Sequence, residues 1–144
     1  MPFDELLRRR RIHRHRAASA EIERLLALAD RDIQTARRTM AEDWDWGFSI
    51  AYNAVLQAAR AYMYSQGFRP ASEQGHKNTF AFLREALGEE HASLVGYFDR
   101  MRTKRNQAIY DVAGLITEAE ARALFERAIG FVELIKVRIH QKTG

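Results

Sequence analysis

The chain of 144 residues has no cysteine, two prolines and eight glycines. The missing cysteine removes disulfides, thiolate metal sites and cysteine nucleophiles together. So little proline and glycine leaves little material for the turns of an all-β fold and favours helices. No apolar run approaches the roughly 20 residues that span a bilayer, and no signal-peptide pattern opens the chain. A cytoplasmic protein with no membrane association is the expectation. The glycines match no phosphate-cradling fingerprint. His13, His15, His76, His91 and His140 lack ligand spacing. Neither a metal nor another cofactor is therefore expected.

What is present is an ordinary core and an uneven charge. Hydrophobic residues make up 47% and charged residues 29%, the balance of one soluble domain. The net charge is +4. Residues 1–16 hold Arg8, Arg9, Arg10, Arg11, Arg14 and Arg16 against Asp4 and Glu5, and so account for all of it. The high isoelectric point comes from this arm, while the rest of the chain is balanced. A basic arm with His13 and His15 suits a phosphate backbone or an acidic partner. The plainer alternative is a solvated, frayed terminus.

Helical periodicity dominates after residue 17. Ile22, Leu25, Leu26, Ala29, Ile33, Ala36 and Met40 predict an amphipathic helix over 18–41. Asp43 is a candidate N-cap for a second helix over 44–66, whose Ala51, Ala54, Ala58 and Ala61 allow a neighbour to approach closely. Gly67 and Pro70 end it. A polar loop follows over 67–77, then a short helix over 78–87 closed by Gly88, and a longer one over 89–110. Residues 113–116 connect to Thr117-Glu118-Ala119-Glu120, a capping box that opens a last helix reaching about His140. No β-alternation is visible. The expected fold is all-α: an up-and-down bundle of four main helices plus short extra helices over 18–144, preceded by a basic arm or short helix over 1–17.

One stretch does not fit a plain bundle. In Arg102-Thr103-Lys104-Arg105-Asn106-Gln107-Ala108-Ile109-Tyr110-Asp111, Arg105 falls within the apolar stripe of Leu94, Phe98, Met101, Ala108 and Val112. A charge on a buried face must be paired or put to use. On a continuous helix Arg102, Asn106 and Tyr110 share a polar edge, with Arg105 beside it. Arg102, Lys104 and Arg105 are the candidate phosphate or RNA contacts, because guanidinium groups hold phosphate well. The same cluster suits the centre of a helix–helix or dimer interface. A purely structural alternative pairs Arg105 with Glu42, Asp43 or Asp32.

The layout resembles the HEPN domain, over roughly residues 20–140. Ser49-Ile50-Ala51-Tyr52-Asn53-Ala54-Val55-Leu56-Gln57-Ala58-Ala59-Arg60-Ala61 is similar to the family's second-helix pattern. Gly67-Phe68-Arg69-Pro70 followed by Gly75-His76-Lys77 resembles its next loop. Arg105-Asn106 with Tyr110 resembles its Arg/His motif, in which Asn often follows the Arg. The resemblance implies a homodimer with two such motifs facing one cleft. It implies either a metal-independent endoribonuclease or a non-catalytic partner of a small nucleotidyltransferase in toxin–antitoxin or defence systems. Arg105, Asn106 and Tyr110 are then the candidate catalytic residues. The chain departs from the motif at Tyr110, where the family has His. A phenol titrates at about 10, against about 6.5 for imidazole, and is a poor base at neutral pH. Arg105 and Tyr110 also lie about 140° apart around an ideal helix. The Tyr that accepts adenylylation in some members is absent, since position 112 is Val. An RNA- or nucleotide-binding regulatory module is the first expectation, an active ribonuclease using Arg105 and Tyr110 the second, and a structural bundle the third.

Overall fold

A computed structural model describes residues 3–110 and 116–143, and does not extend to the side chains of 108–110 and 142–143. The chain runs through α1 (Asp4–Arg8), β1 (Ile12–Arg14), α2 (Ser19–Met40), α3 (Trp44–Ser65), β2 (Phe68–Pro70), α4 (Gly75–Leu87), α5 (Ala92–Tyr110) and α6 (Glu118–Thr143). A single 3₁₀ turn, Glu89–His91, precedes α5. The product is an all-α bundle carrying one small two-stranded sheet. No described helix is long and apolar enough to cross a membrane.

The bundle is built around α3. Phe48, Ala51, Tyr52, Ala54, Val55, Ala58, Ala59 and Ala61 are all fully buried, so this helix is covered on nearly every side. It packs on α2, α5, α6, α4 and β2. Its small residues let those neighbours approach. At its first turn a Cβ on Gly47 would lie 3.0 Å from the Cα of Met40 and closer still to that side chain, so the α2–α3 corner closes only over glycine. Asp43 caps α3 as expected, accepting a hydrogen bond from the Trp46 amide at 3.0 Å. Gly67, at φ 90°, supplies the left-handed turn after its end. Thr117 and Glu120 form the reciprocal capping box, with both side chain–backbone hydrogen bonds at 3.1 Å.

The N-terminal segment and the 67–77 loop differ from expectation in the same way. β1 pairs antiparallel with β2, matching Ile12 with Pro70 and Arg14 with Phe68. Strands of three residues are too short for a period-two pattern to show in the sequence. Leu6 and Ile12 are buried, and Phe3 stacks on Phe82 with ring centroids 4.6 Å apart. These few apolar contacts hold residues 3–14 on the bundle, and the segment is not a frayed tail. The fourth helix starts at Gly75, three residues earlier than the periodicity indicates, because Gln74 turns into it at φ 56° without any side-chain cap to mark the start. Asp111, Val112 and residues 113–115 of the expected connector lie outside the described residues.

Candidate anion cleft between α4 and α5

Three elements meet beside the Arg-Asn pair. α3 contributes Tyr52, the first turn of α4 contributes His76 and Lys77, and α5 contributes Arg102, Arg105 and Asn106. Gln74, Gly75, His76, Lys77, Arg102 and Asn106 line a cleft of about 440 Å³. The wall contains cations, amides and an imidazole, and no carboxylate. It also includes the start of α4, whose free amides add positive potential.

Among the described residues, Arg105 meets an aromatic ring and no acid. Its Cζ sits 5.5 Å from the centroid of the Tyr52 ring. A cation over an aromatic face is stabilised by roughly 0.5–2 kcal/mol, more as water is excluded. The Arg105 Nε is buried with no hydrogen-bond partner among the described residues. The carboxylates proposed for it are engaged elsewhere or absent from its contacts: Asp43 caps α3, and Asp32 pairs with Arg31 at 3.0 Å. Among the described residues no acid, Glu42 included, forms an ion pair with Arg105. The structural alternative of a core salt bridge is therefore not what the structure contains.

Tyr52 links Arg105 to His76. Its hydroxyl lies 3.3 Å from His76 Nδ1. Burial pushes the Tyr52 pKa well above the ordinary phenol range, against the opposing pull of Arg105 and Arg102. The phenol therefore stays neutral and is able to donate to, or accept from, the imidazole. Burial, then Arg105, Arg60 and Arg102, lower the pKa of His76 below its ordinary value. At neutral pH His76 is an uncharged imidazole held at the edge of a cationic cleft.

The structure brings some of the sequence-selected residues together and separates others. Arg102 and Asn106 share the cleft wall, and Arg102 Nε donates to Asp99 Oδ1 at 3.0 Å, which fixes its direction. Lys104 does not join them: it is ion-paired with Glu120 of α6 and does not line the cleft. Two residues along a helix is a rotation of about 200°, which turns Lys104 away from Arg102. Tyr110 ends α5, and its side chain is outside the described residues. Tyr52 and His76 both fall in segments that resemble the family, and His76, like His91, is a base the sequence could supply from elsewhere, but no spacing in the sequence places either beside Arg105. Tyr52 reads as core, which it also is. His76 reads as loop because the uncapped start of α4 hides its place in a helix.

Fold and cleft together define a helical-bundle protein with an acid-free, arginine-containing cleft across two helices. The particular family follows from comparison with known proteins. A family model for the HEPN domain matches residues 22–138, and the chain belongs to that family. A comparison with curated proteins returned no match. The matched span runs from α2 into α6 and includes every residue of the cleft, while α1 and β1 fall outside it.

Proposed function

We propose that this chain is a homodimeric RNA- or nucleotide-binding regulatory module of a toxin–antitoxin or defence type system. Arg102, Arg105 and Asn106 contact phosphate, and a small nucleotidyltransferase is the kind of partner the family supplies. The observation that carries the proposal is Arg105: a half-buried guanidinium without a described acidic partner, seated on Tyr52 beside a cleft free of carboxylates. An uncompensated cation in such a place favours an anionic ligand. Tyr110, standing where the family motif has His, donates a hydrogen bond but is a weak base.

The test is fluorescence anisotropy with labelled RNA and with nucleotides across a salt series. Arg105→Ala is expected to weaken binding by about ten- to hundredfold, the value of a charge-assisted hydrogen bond of about 1.5–3 kcal/mol. Arg38→Ala, on the exposed side of α2, leaves it unchanged. Absence of binding, or an Arg105→Ala variant that binds as well as the parent, sinks the proposal. Light scattering on the same samples tests the homodimer, and a strict monomer contradicts it.

One observation favours a second reading, a metal-independent endoribonuclease. His76 offers the neutral imidazole that the motif lacks at position 110. In that chemistry His76 Nε2 takes the proton of a ribose 2′-hydroxyl as its oxygen bonds to phosphorus. The bond from phosphorus to the 5′ oxygen breaks, water protonates that oxygen, and a 2′,3′-cyclic phosphate remains. Tyr52 holds the imidazole through Nδ1, and Arg105 balances charge on the phosphoryl oxygens. The expected outcome is cyclic-phosphate product in the presence of chelator, lost in His76→Asn and Arg105→Ala and reduced in Tyr110→Phe. If His76→Asn cleaves as fast as the parent chain, the imidazole is not the base.

A further inference from the structure

A second cleft adjoins the first. It measures about 530 Å³, and Arg9, Arg10, Arg11 and His13 of the N-terminal segment face residues 71–74 and Asn78 across it. Gln74 lines both clefts, so the two meet at the start of α4.

The cleft is constructed, not a gap beside a loose arm. Asn78 is buried. Its Oδ1 accepts from Arg11 Nε and its Nδ2 donates to the Glu73 carbonyl, each at 2.9 Å. One amide thereby ties the arm to the opposite wall. The Ala71 amide donates to the Arg11 carbonyl at 3.0 Å and closes the base. Arg10 and Gln74 are the non-glycine residues with positive φ among the described ones, at 57° and 56°, and both border this cleft. Backbone held in the left-handed region by side-chain-bearing residues is strained, and such strain collects where a ligand is met. Arg9 is paired with Glu5, whereas no described carboxylate pairs with Arg10 or Arg11. Glu73 is the acidic residue in the lining.

We infer that this cleft is a second phosphate subsite, and that the two clefts form one track for single-stranded RNA, from Arg10 and His13 past Gln74 to Lys77, Arg102 and Asn106. The inference rests on the RNA reading of the α4–α5 cleft. Cations distributed over two adjoining clefts match an anion that repeats at every nucleotide, whereas a mononucleotide fills one of them. A single strand, free to rotate about each backbone bond, can present successive phosphates to both clefts. The arginine-bearing wall of the second cleft, in α1 and β1 and the turn between them, lies outside the matched family span, while residues 71–74 and Asn78 lie inside it.

Arg10→Gly tests this cleanly, since φ 57° suits glycine and the substitution removes the cation while leaving the backbone path. The full chain is titrated with a labelled single-stranded trinucleotide and a dodecamer of RNA. For the dodecamer, one lost phosphate contact weakens binding about fourfold at 0.15 M salt and about eightfold at 0.05 M, and lowers the salt slope by about 0.7. The trinucleotide is expected to bind Arg10→Gly as it binds the parent chain. If Arg10→Gly leaves the dodecamer unaffected while Arg105→Ala weakens it, the track is overturned and the α4–α5 site stands. If the parent chain binds neither strand, both fall. If poly-glutamate binds as tightly as RNA of equal charge and responds equally to Arg10→Gly, the subsite serves an acidic protein and the RNA track is overturned.

Discussion

Arg105 occupies a helix position where its neighbours are apolar, and among the described residues it meets an aromatic face in place of an acid. That choice has a chemical consequence. A carboxylate partner would neutralise the guanidinium, whereas Tyr52 stabilises it and leaves its charge available to the cleft. The same Tyr52 positions His76, so three residues from three helices form one unit. A pH dependence follows. His76 has an ordinary pKa of about 6.5 in the unfolded chain and a lower one in the fold, so between these values the unfolded state binds more protons. Stability is fully present above about pH 6.5 and declines as pH falls through that window. Urea midpoints measured from about pH 7.5 down to about pH 5, a window that brackets the ordinary imidazole pKa, should fall for the parent chain and fall less for His76→Gln. Equal slopes would show that His76 is not the titrating group. Arg105 was legible as an anomaly because its charge breaks an apolar stripe. Its partner was not, since a sequence does not say whether a buried cation meets an acid or a ring.

At the scale of elements, the helices follow from local signals and their pairing does not. α2, α3 and α6 match periodicity and caps: Asp43 before Trp44, and Thr117 with Glu120. Glu120 does two things at once. One carboxylate oxygen accepts from the Thr117 amide and the other binds Lys104, so the cap of α6 also fastens α5. Glu120→Gln keeps the capping hydrogen bond and loses the ion pair, which is partly exposed and contributes up to about 1 kcal/mol. Glu120→Ala loses both, at about 1–2 kcal/mol in all. Urea denaturation should rank the parent chain above Glu120→Gln and that above Glu120→Ala. An equal loss in the two variants would mean that the cap contributes nothing. The start of α4 and the two short strands escaped the sequence because each lacks the local marker that reasoning depends on: a side-chain cap in one case, enough length for alternation in the other.

For the whole molecule, the basic arm is part of the fold. Ile12 is buried and paired with Pro70, and Leu6 joins the same core. Ile12→Ala is expected to destabilise the protein by about 2–5 kcal/mol, the cost of a large-to-small change in a packed site. A urea midpoint equal to that of the parent chain would show that the segment is not docked in solution. Because the arm is held in place, its arginines form the wall of a cleft and are not a diffuse cloud of charge. This is what allows Arg10 and Arg102 to be considered parts of one surface.

The sequence by itself determined the all-α class, most helix boundaries, the family resemblance and the selection of Arg102, Arg105 and Asn106. These rest on period, caps and motif, all of which act within a few residues of chain. Only the tertiary structure decided what surrounds Arg105, that Lys104 is bound to α6, that His76 stands at the cleft, and that the arm lines a cleft of its own beside it. Each of those depends on contacts between residues far apart in the chain, Tyr52 with His76, Arg105 with Tyr52, Arg11 with Asn78, which packing selects and no local pattern encodes.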